Sequence, residues 1–414
     1  EGRDVVEQRK SIPVSEAVRR VMEKAVVGAV EVVPIRESYG RYLGEDLIAD
    51  HDVPLFDRSI VDGYALRSVD TGDGAVMLNV IEAIGAGTVA SHRVGEKEAV
   101  RIMTGAPLPE GSDAVVMLED VSYQNGRIVV TRPLHRDENV AKCGEDIKKG
   151  TVLLKAGRKI GAGEIALLAT FGYSDVRVYK RPLVALIATG SELVDVDEPI
   201  APGKIRNSNS YMLEAQIKQI GAIPTYEGIL RDDFDESYRA VASALERVDY
   251  VITTGGVSVG DFDYIPAILK KLGAEVLFNK VEMRPGSVTT VGYKDGKWIF
   301  GLSGNPAACF VGFELFVRPL LKTYMGAVAP HLPMIEATLT EDVGRKNEYA
   351  RFIRARITTE NGNVYVTPVG LEKSGIVSSL AEANGLLYVP PQTEKLKKGE
   401  RVTVIRLQTI DDFF

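Results

Sequence analysis

Short apolar runs alternate with helix-length segments in the middle of the chain, and this alternation constrains the fold more than any other feature. The apolar runs cover residues 183–188, 222–228 and 250–253, and helical periodicity separates them at residues 211–220 and 234–247. A strand followed by a helix is the repeating unit of a parallel sheet that helices cover on both faces. The sequence therefore predicts a central α/β domain with three layers.

Three further apolar runs follow closely on one another, at residues 275–281, 288–293 and 298–301. The last two flank Lys294-Asp295-Gly296, and Asp-Gly is a strong signal for a hairpin because both residues tolerate the positive φ that the turn requires. We expect the sheet to end in antiparallel strands, and residues 307–321 to form a helix.

The regions on either side of this domain have different patterns. Residues 11–50 and 163–171 carry helical periodicity, and residues 51–150 form short β-type runs interrupted by proline and glycine. The residues after a linker at 330–333 alternate apolar and polar, as in residues 401–407. The predicted fold class is a multi-domain α/β plus β protein. Its predicted regions are a discontinuous helical region (1–50 and 151–181), an inserted β-rich domain (51–150), the α/β domain (182–326) and a C-terminal β-barrel (327–414).

Charge and hydropathy argue against several classes of function. The 414 residues include 50 basic and 57 acidic side chains, a net charge of −7, so we expect no broad cationic surface for nucleic acid. No apolar run reaches the roughly 18 residues of a membrane span, so we expect no membrane contact and a cytoplasmic location. The 2 cysteines and 4 histidines form no ligand-spaced cluster, so neither a structural zinc nor a disulfide framework is expected.

Three glycine-rich segments follow apolar runs of the α/β domain, at residues 188–193, 253–263 and 301–306. Exposed N–H groups and hydroxyls in such loops can bind phosphate oxygens at the carboxyl edge of a parallel sheet. The alternative is ordinary strand-to-helix turns, with Thr189, Ser191 or Asn305 as helix caps. The candidate binding residues are Thr189, Gly190, Ser191, Gly255, Gly256, Ser258, Gly260, Ser303, Gly304 and Asn305.

Acidic side chains beside phosphate-binding loops would repel an anionic substrate unless a cation lies between them. Glu192, Asp232 and Asp263 offer the oxygen ligands that suit Mg²⁺, although Asp232 could instead cap the helix that follows it. Lys280, Arg284 and Ser287 surround Pro285-Gly286 and could bind an oxyanion through charge-assisted hydrogen bonds, or could be solvated surface residues. In the β-rich region, residues 56–65, 103–111 and 143–146 contain turn residues that favour a structural interpretation.

Taken together and in this order, these segments resemble the molybdopterin molybdenumtransferase family of molybdenum cofactor biosynthesis, which includes the E domain of gephyrin. The resemblance runs from about Ser11 to the end of the chain. It implies a Mg²⁺-assisted reaction of adenylylated molybdopterin with molybdate that yields the molybdenum cofactor and AMP. It also implies a central molybdopterin-binding domain and a homodimer with each active site formed between subunits. The positions that match the family's functional residues are Asp62, Thr104, Asp146, Glu192, Asp232 and Asp263, the basic Lys280 and Arg284, and the C-terminal pair Arg354 and Ser374.

Two segments depart from the family's pattern. The frequent Lys-Pro-Gly-Lys-Pro is Arg284-Pro285-Gly286-Ser287-Val288 here, and Gly-Leu-Pro-Gly-Asn-Pro is Gly301-Leu302-Ser303-Gly304-Asn305-Pro306. The missing lysine leaves the choice between molybdate and tungstate open.

Two other functions are compatible with the motifs. One is an adenylyltransferase that activates molybdopterin with ATP, since the central domain resembles that fold too, and such an enzyme is also a candidate partner. The other is a scaffold without catalytic activity. The long terminal regions argue against the first, and acids at all five matched positions argue against the second.

Overall fold

The chain folds into two units, and it leaves the first unit for the second and returns to it twice. The computed structural model describes residues 9–255, 264–344 and 347–407. The first unit comprises Glu1–Gly44, Gly157–Gly161 and Asp175–Phe414, and the second comprises Glu45–Ala156 and Ala162–Ser174. Among the described residues, no helix has the length and apolar character needed to cross a membrane.

The central sheet of the first unit has six strands, and the first four in spatial order are parallel. The last two run antiparallel to their neighbours, as predicted. Asp295 and Gly296 form the predicted hairpin, with φ of 49° and 84°. In spatial order the strands are Ile223–Leu230, Leu183–Thr189, Tyr250–Thr254, Lys297–Leu302, Thr290–Lys294 and Glu275–Phe278.

Successive residues of a strand point to opposite faces of a sheet, so the buried strands present two apolar faces. Leu186 belongs to a core with Leu213 on one face, and its neighbour Ile187 belongs to a core with Val241 on the other. The helices that form these layers are Asn209–Ile220, Phe234–Arg247, Ile265–Leu272, Pro306–Gly312 and Arg318–Tyr324, with a π-helical turn at Phe313–Val317. This arrangement confirms the three-layer α/β fold.

The C-terminal strands close into a barrel, because the strand Ala350–Glu360 pairs with neighbours on both sides of a five-strand ring. Leu339, Ile353 and Leu387 lie in its core. The other barrel strands are Met334–Leu339, Asn363–Pro368, Gly385–Val389 and Arg401–Arg406, with a short helix at Ser378–Glu382. A strand outside the ring, Met283–Arg284, pairs with the barrel and places Arg284 opposite Arg351.

The two segments predicted to form a helical region each contain one α-helix among their described residues. Val14–Glu23 lies in the first unit, whereas Ala162–Thr170 belongs to the second unit with the β-rich part. The same segments also contribute antiparallel strands, Val30–Pro34 and Asp175–Tyr179. The division into four domains at the predicted residues therefore stays a proposal. Shorter elements of the first unit are Ile35–Glu37, Leu193–Val194 and Ile205–Arg206.

The second unit is built on a six-stranded sheet with apolar clusters on both faces. Tyr64 and Leu66 lie in one cluster and Ala65 lies in the other, which is the alternation expected of a buried strand. In spatial order the strands are Ala114–Met117, Gly63–Leu66, Glu98–Ile102, Val76–Ile84, Arg127–Val130 and Val121–Gln124. Shorter elements are Leu47–Ile48, Arg58–Ser59, Ser68–Asp70, Leu118–Asp120, Val140–Ala141 and Val152–Leu154.

Candidate functional site

Four loops leave the central sheet at one edge. They follow the adjacent parallel strands Ile223–Leu230, Leu183–Thr189, Tyr250–Thr254 and Lys297–Leu302, so their first residues lie side by side. The Gly190 N–H donates to the Leu230 carbonyl and the Gly255 N–H to the Leu302 carbonyl, both at 3.1 Å. The carboxyl edge of such a sheet is where anionic ligands bind in open α/β folds. Three of these loops are the predicted glycine-rich segments.

Adjacent aspartates in the loop after Ile223–Leu230 have separate roles. Asp233 is the helix cap, since its side chain accepts a hydrogen bond from the Glu236 N–H at 2.7 Å. Asp232 instead turns toward the first glycine loop, where it accepts from the Ser191 N–H at 2.9 Å. Asp232 therefore does not cap the helix, and its carboxylate lies beside the predicted phosphate-binding residues.

Glu192 is folded back against its own loop. A Cβ atom placed on Gly190 would lie 2.6 Å from Glu192 Oε2, which shows how closely the carboxylate covers this glycine. Within the described ranges no three acidic, histidine or cysteine side chains converge on one point. Two carboxylates are nevertheless enough for Mg²⁺, which is usually held by one or two of them together with substrate phosphates and water. The donor set Glu192 and Asp232 fits that chemistry, and Asp263 lies outside the described residues.

The first, second and third glycine loops pack directly on one another. Gly255 has a φ of 87°, and a Cβ atom there would collide with the Thr189 carbonyl oxygen. A Cβ atom on Gly304 would lie 3.5 Å from Gly255 Cα. Gly255 requires glycine because the backbones approach too closely there for a side chain, whereas a Cβ atom on Gly304 would make only ordinary van der Waals contact. The predicted residues Gly256, Ser258 and Gly260 lie outside the described residues.

Asn209 joins two of these loops and was not among the predicted site residues. It is the first residue of the helix Asn209–Ile220 and is 7% exposed. Its Nδ2 donates to Thr254 Oγ1 and to the Gly304 carbonyl, both at 2.8 Å. The sequence signal is the Asn207-Ser208-Asn209 triplet ahead of a helix, which on sequence alone looks like a capping motif.

The third loop connects the sheet to the C-terminal part of the first unit. Asn305 occupies the N-cap position of the helix Pro306–Gly312, but its side chain makes no capping hydrogen bond. Its N–H donates to Ser303 Oγ at 3.2 Å, so the residue that replaces the family's proline forms a contact within the loop. The Ala307 N–H donates to the Ser374 carbonyl at 3.0 Å. Ser374 therefore lies against the start of this helix.

A cavity of about 890 Å³ opens next to Ser374. Its lining brings together Arg284, Ser287, Arg354 and Ser374, which were candidates on sequence grounds. Arg284 lies in the strand that pairs with the barrel, and its guanidinium carbon is 5.8 Å from the centre of the Tyr349 ring. The remaining described lining residues are Met283, Pro285, Gly286, Gly344, Asn347, Glu348, Arg351, Glu372 and Lys373.

Arg354 is committed to the protein's own backbone although it lines the cavity. The side chain is 1% exposed, and its Nη2 donates to the carbonyls of Leu371 at 2.7 Å and Lys373 at 3.1 Å. Its Nε donates to Ser379 Oγ at 3.0 Å. Burial lowers the pKa of Arg354 from its ordinary value. The arginine therefore holds the segment that leads into Ser374.

Lys280 is half-buried and is not among the described residues that line the cavity. Its carbonyl accepts a hydrogen bond from the Ile12 N–H at 3.2 Å, which anchors the start of the chain. Its ammonium has no hydrogen-bond or ion-pair partner among the described residues, so the charge is available to an anion.

Asp62, Thr104 and Asp146 belong to the second unit. Asp62 Oδ1 accepts from both the backbone N–H (2.7 Å) and the hydroxyl (2.8 Å) of Thr104. These two hydrogen bonds hold the pKa of Asp62 below its usual value, so the exposed carboxyl stays ionised at neutral pH. The structure thus joins two predicted residues that are far apart in sequence. Asp146 is exposed, and its N–H donates to the Val53 carbonyl at 3.1 Å.

Comparison with known proteins identifies relatives over almost the whole chain. Three family models match in order: the MoeA N-terminal region (domains I and II) at residues 12–172, the probable molybdopterin binding domain at 185–323, and the MoeA C-terminal region (domain IV) at 336–407. Together they cover both units described above.

The relatives include two bacterial proteins that bear the name molybdopterin molybdenumtransferase. The protein of Bacillus subtilis (strain 168) is 49% identical over 412 residues, covering 98% of this chain and 96% of its own. That of Staphylococcus aureus (strain Mu50) is 47% identical over 405 residues, covering 97% of each chain. A crystal structure of the molybdopterin biosynthesis moeA protein from Pyrococcus horikoshii OT3 superposes with a TM-score of 0.82 at 33% identity, covering 96% of this chain and 100% of that one.

Proposed function

Because this chain belongs to the molybdopterin molybdenumtransferase family of molybdenum cofactor biosynthesis, we propose that it uses molybdate and adenylylated molybdopterin, releases AMP and depends on Mg²⁺. Metal insertion into molybdopterin is the activity for which the family is named. The observation that carries the finer proposal is the position of Asp232, whose carboxylate turns away from its own helix toward the Ser191 loop.

The glycine loops bind the phosphates of the substrate in this proposal. Gly190, Gly255 and Gly304 bring three backbones together at the carboxyl edge, where a ligand can approach the loops without intervening side chains. Ser191 adds an exposed hydroxyl at the same edge, whereas Thr189 is buried and its hydroxyl donates to the Thr254 carbonyl at 3.4 Å. The Lys204 ammonium, which donates to the Ser191 carbonyl, adds a positive charge that the sequence did not point to.

Glu192 and Asp232, with Asp263, would hold the Mg²⁺ ion. When bound, the ion offsets the negative charge of the phosphates and polarises the phosphoanhydride link. Ser191 keeps Asp232 in place through its N–H, so the carboxylate needs little rearrangement to become a ligand. No covalent intermediate on the enzyme is needed, because positioning and charge supply the catalysis.

The cationic cavity binds the oxyanion substrate. Arg284 is held by the barrel strand opposite Arg351, and Ser374 is held against the third loop through its carbonyl. Arg351 is paired with Glu372, so its charge is balanced within the protein, whereas Arg284 is exposed. We assign Arg284 and Ser374, which line the cavity, to oxyanion binding, and Arg354 to the positioning of the Ser374 segment. Lys280 lies outside the described lining, and we assign it to oxyanion binding from its match to the family's basic position.

The enzyme works as a homodimer in this proposal, with Asp62 and Thr104, and with them Asp146, facing the α/β domain of a second copy. Exposed apolar side chains next to Asp62 and Thr104 support a protein contact there, since such patches mark interaction surfaces. Leu55, Phe56, Ile60 and Met103 are 62%, 43%, 54% and 38% exposed. A molybdopterin adenylyltransferase would supply the substrate.

Release of AMP from purified adenylylated molybdopterin tests the function. The reaction is run with Mg²⁺ while molybdate and tungstate are titrated separately. Oxyanion-dependent release of AMP together with formation of active cofactor is the expected result, and the preferred anion identifies the metal. Tight binding of the substrate without AMP release would overturn the proposal and favour a scaffold.

A further inference from the structure

Asn209 reaches the second and third glycine loops from a third element of the fold. The last paired residues of the two strands ahead of these loops are Thr254 and Leu302, and beyond them the sheet ladder no longer sets the spacing of the backbones. The Asn209 amide spans this point, with one N–H on Thr254 Oγ1 and the other on the Gly304 carbonyl.

The orientation of this amide follows from its partners. A carbonyl oxygen can only accept, so the group that faces Gly304 must be the amide nitrogen. That orientation leaves Oδ1 buried, and none of the described residues donates to it. A buried acceptor without a donor is unfavourable. The stabilising contribution of the Asn209 side chain therefore comes from its two N–H groups and not from its oxygen.

Two other contacts join the two loops at this point. The Gly255 N–H donates to the Leu302 carbonyl at 3.1 Å, and Thr254 Oγ1 lies 3.5 Å from the Ser303 carbonyl. Neither of these contacts reaches Gly304, which Asn209 holds through its carbonyl. Asn209 closes a network with Thr254 and the third loop. Glycine loops lose much freedom when they are ordered, so a brace outside them lowers the entropy that a ligand must remove.

We propose that Asn209 is a positioning residue that fixes Thr254, at the start of the second glycine loop, relative to Gly304 in the third, at the spacing needed to bind the phosphates of adenylylated molybdopterin. This inference rests on the proposed function for the identity of the ligand. Asn209 acts through Thr254 and Gly304 and does not touch the reacting atoms.

Asn207 provides a matched control two residues earlier. It is 1% exposed, and its Nδ2 donates to Ser210 Oγ at 3.0 Å and to the Tyr226 hydroxyl at 2.9 Å. Neither partner belongs to a glycine loop. Its Oδ1 also accepts from the Ser210 N–H at 3.2 Å. Asn207→Ser therefore removes three side-chain hydrogen bonds and Asn209→Ser removes two, both at the start of the same helix, but only Asn209→Ser removes the contacts with the glycine loops.

The experiment measures binding of adenylylated molybdopterin by pterin fluorescence, together with thermal unfolding. We expect both variants to lower the Tm, and Asn207→Ser to lower it at least as much because it loses one more hydrogen bond. Asn209→Ser should weaken binding by about tenfold, as expected for the loss of about one net hydrogen-bonding contribution, whereas Asn207→Ser should stay within about twofold of wild type. Equal Kd values for the two variants would overturn the proposal.

A double-mutant cycle with Thr254→Val tests whether Asn209 affects substrate binding through its hydrogen bond to Thr254. If Asn209 acts through Thr254, the two substitutions share one interaction, and Asn209→Ser should weaken binding less on the Thr254→Val background than on wild type. Fully additive effects would contradict this route. Because binding is measured without turnover, a wild-type enzyme that binds but releases no AMP would defeat the proposed function and still leave Asn209 tested.

Discussion

The Asp232 carboxylate accepts a hydrogen bond from the Ser191 N–H at 2.9 Å, although 41 residues separate the two in sequence. The contact is reciprocal, since the Asp232 N–H donates to Ser191 Oγ at 3.3 Å. These two hydrogen bonds join loops that follow neighbouring parallel strands at the carboxyl edge. They hold the negatively charged Asp232 carboxylate beside the first glycine loop.

Asp232→Asn should raise the Mg²⁺ concentration that is needed for half-maximal AMP release. Asparagine keeps the acceptor for Ser191 but loses the charge, so we expect the Mg²⁺ affinity to fall about 10- to 100-fold. Asp233→Ala is the control. It should lower the free energy of unfolding by about 1 kcal/mol through the lost helix cap while AMP release is kept. A normal Mg²⁺ titration of Asp232→Asn would contradict the assignment.

Thr104→Val should raise the pKa of Asp62. The variant keeps the backbone N–H donor, which is the larger cause of the low pKa, and loses the hydroxyl donor. A lowered carboxyl pKa stabilises the fold above the unfolded-state value, and this stabilisation is lost as pH falls through the folded-state value. In Thr104→Val the loss should therefore occur at higher pH. Carbon-13 NMR titration of the Asp62 carboxyl checks this, and Thr71→Val should leave it unchanged.

Mixing two variants, at a Mg²⁺ concentration too low for Asp232→Asn to release AMP, tests whether the site is shared between subunits. Asp62→Ala and Asp232→Asn fall in different units of the chain. A mixed dimer with intersubunit sites has one site with both acids intact, so random mixing should restore about one quarter of wild-type AMP release. Glu192→Gln mixed with Asp232→Asn should restore none, because both changes fall in the same domain. Absence of recovery in the first mixture would argue for a site within one chain.

Arg354→Lys should disturb the Ser374 segment although it preserves the charge. Lysine cannot reproduce the fork that contacts Ser379, Leu371 and Lys373, so we expect the free energy of unfolding to fall by about 2–3 kcal/mol. The molybdate concentration for half-maximal AMP release should rise as the segment shifts. Lys373→Ala, an exposed change in the same lining, should alter unfolding by less than about 0.5 kcal/mol. Unchanged urea unfolding of Arg354→Lys would refute this role.

Lys322 should make the stability of the protein depend on pH in the alkaline range. Burial, together with the charges of Lys159 and Arg318, lowers the pKa of Lys322 from 10.5 to about 8. Between these values the unfolded chain binds a proton that the folded chain has released, so the free energy of unfolding rises with pH there.

Urea unfolding between pH 7.5 and 10 measures this dependence. Lys322→Met should flatten it, and Lys159→Met should move its onset to higher pH by removing a like charge. Identical pH profiles for wild type and Lys322→Met would contradict the prediction.

The α/β domain could be predicted from the sequence because its signals are local. The helix Phe234–Arg247 has the predicted bounds, since apolar periodicity and the Asp233 cap both lie within a few residues. The helix Ile265–Leu272 was not predicted, because eight residues with a proline near the start carry little periodic signal.

Asn209 and Arg354 show what local signals cannot reveal. The partners of Asn209 lie 45 and 95 residues away, and those of Arg354 lie 17, 19 and 25 residues away. A polar side chain at the start of a helix resembles a cap until its long-range contacts are known, and an arginine that matches a family position resembles a ligand-binding group until its backbone partners are known. Tertiary packing decides both roles.

The helix Val14–Glu23 packs against residues of the same chain that are synthesised much later. Its Arg20 side chain donates to the Leu277 carbonyl at 2.7 Å, across 257 residues. At about 5–20 residues per second, translation takes on the order of 10–50 s to reach that partner. Residues 45–156 form most of the second unit and emerge within that interval. During synthesis this unit can therefore fold first. The apolar face of the helix stays uncovered until its partners are synthesised, and chaperones can bind it during that time.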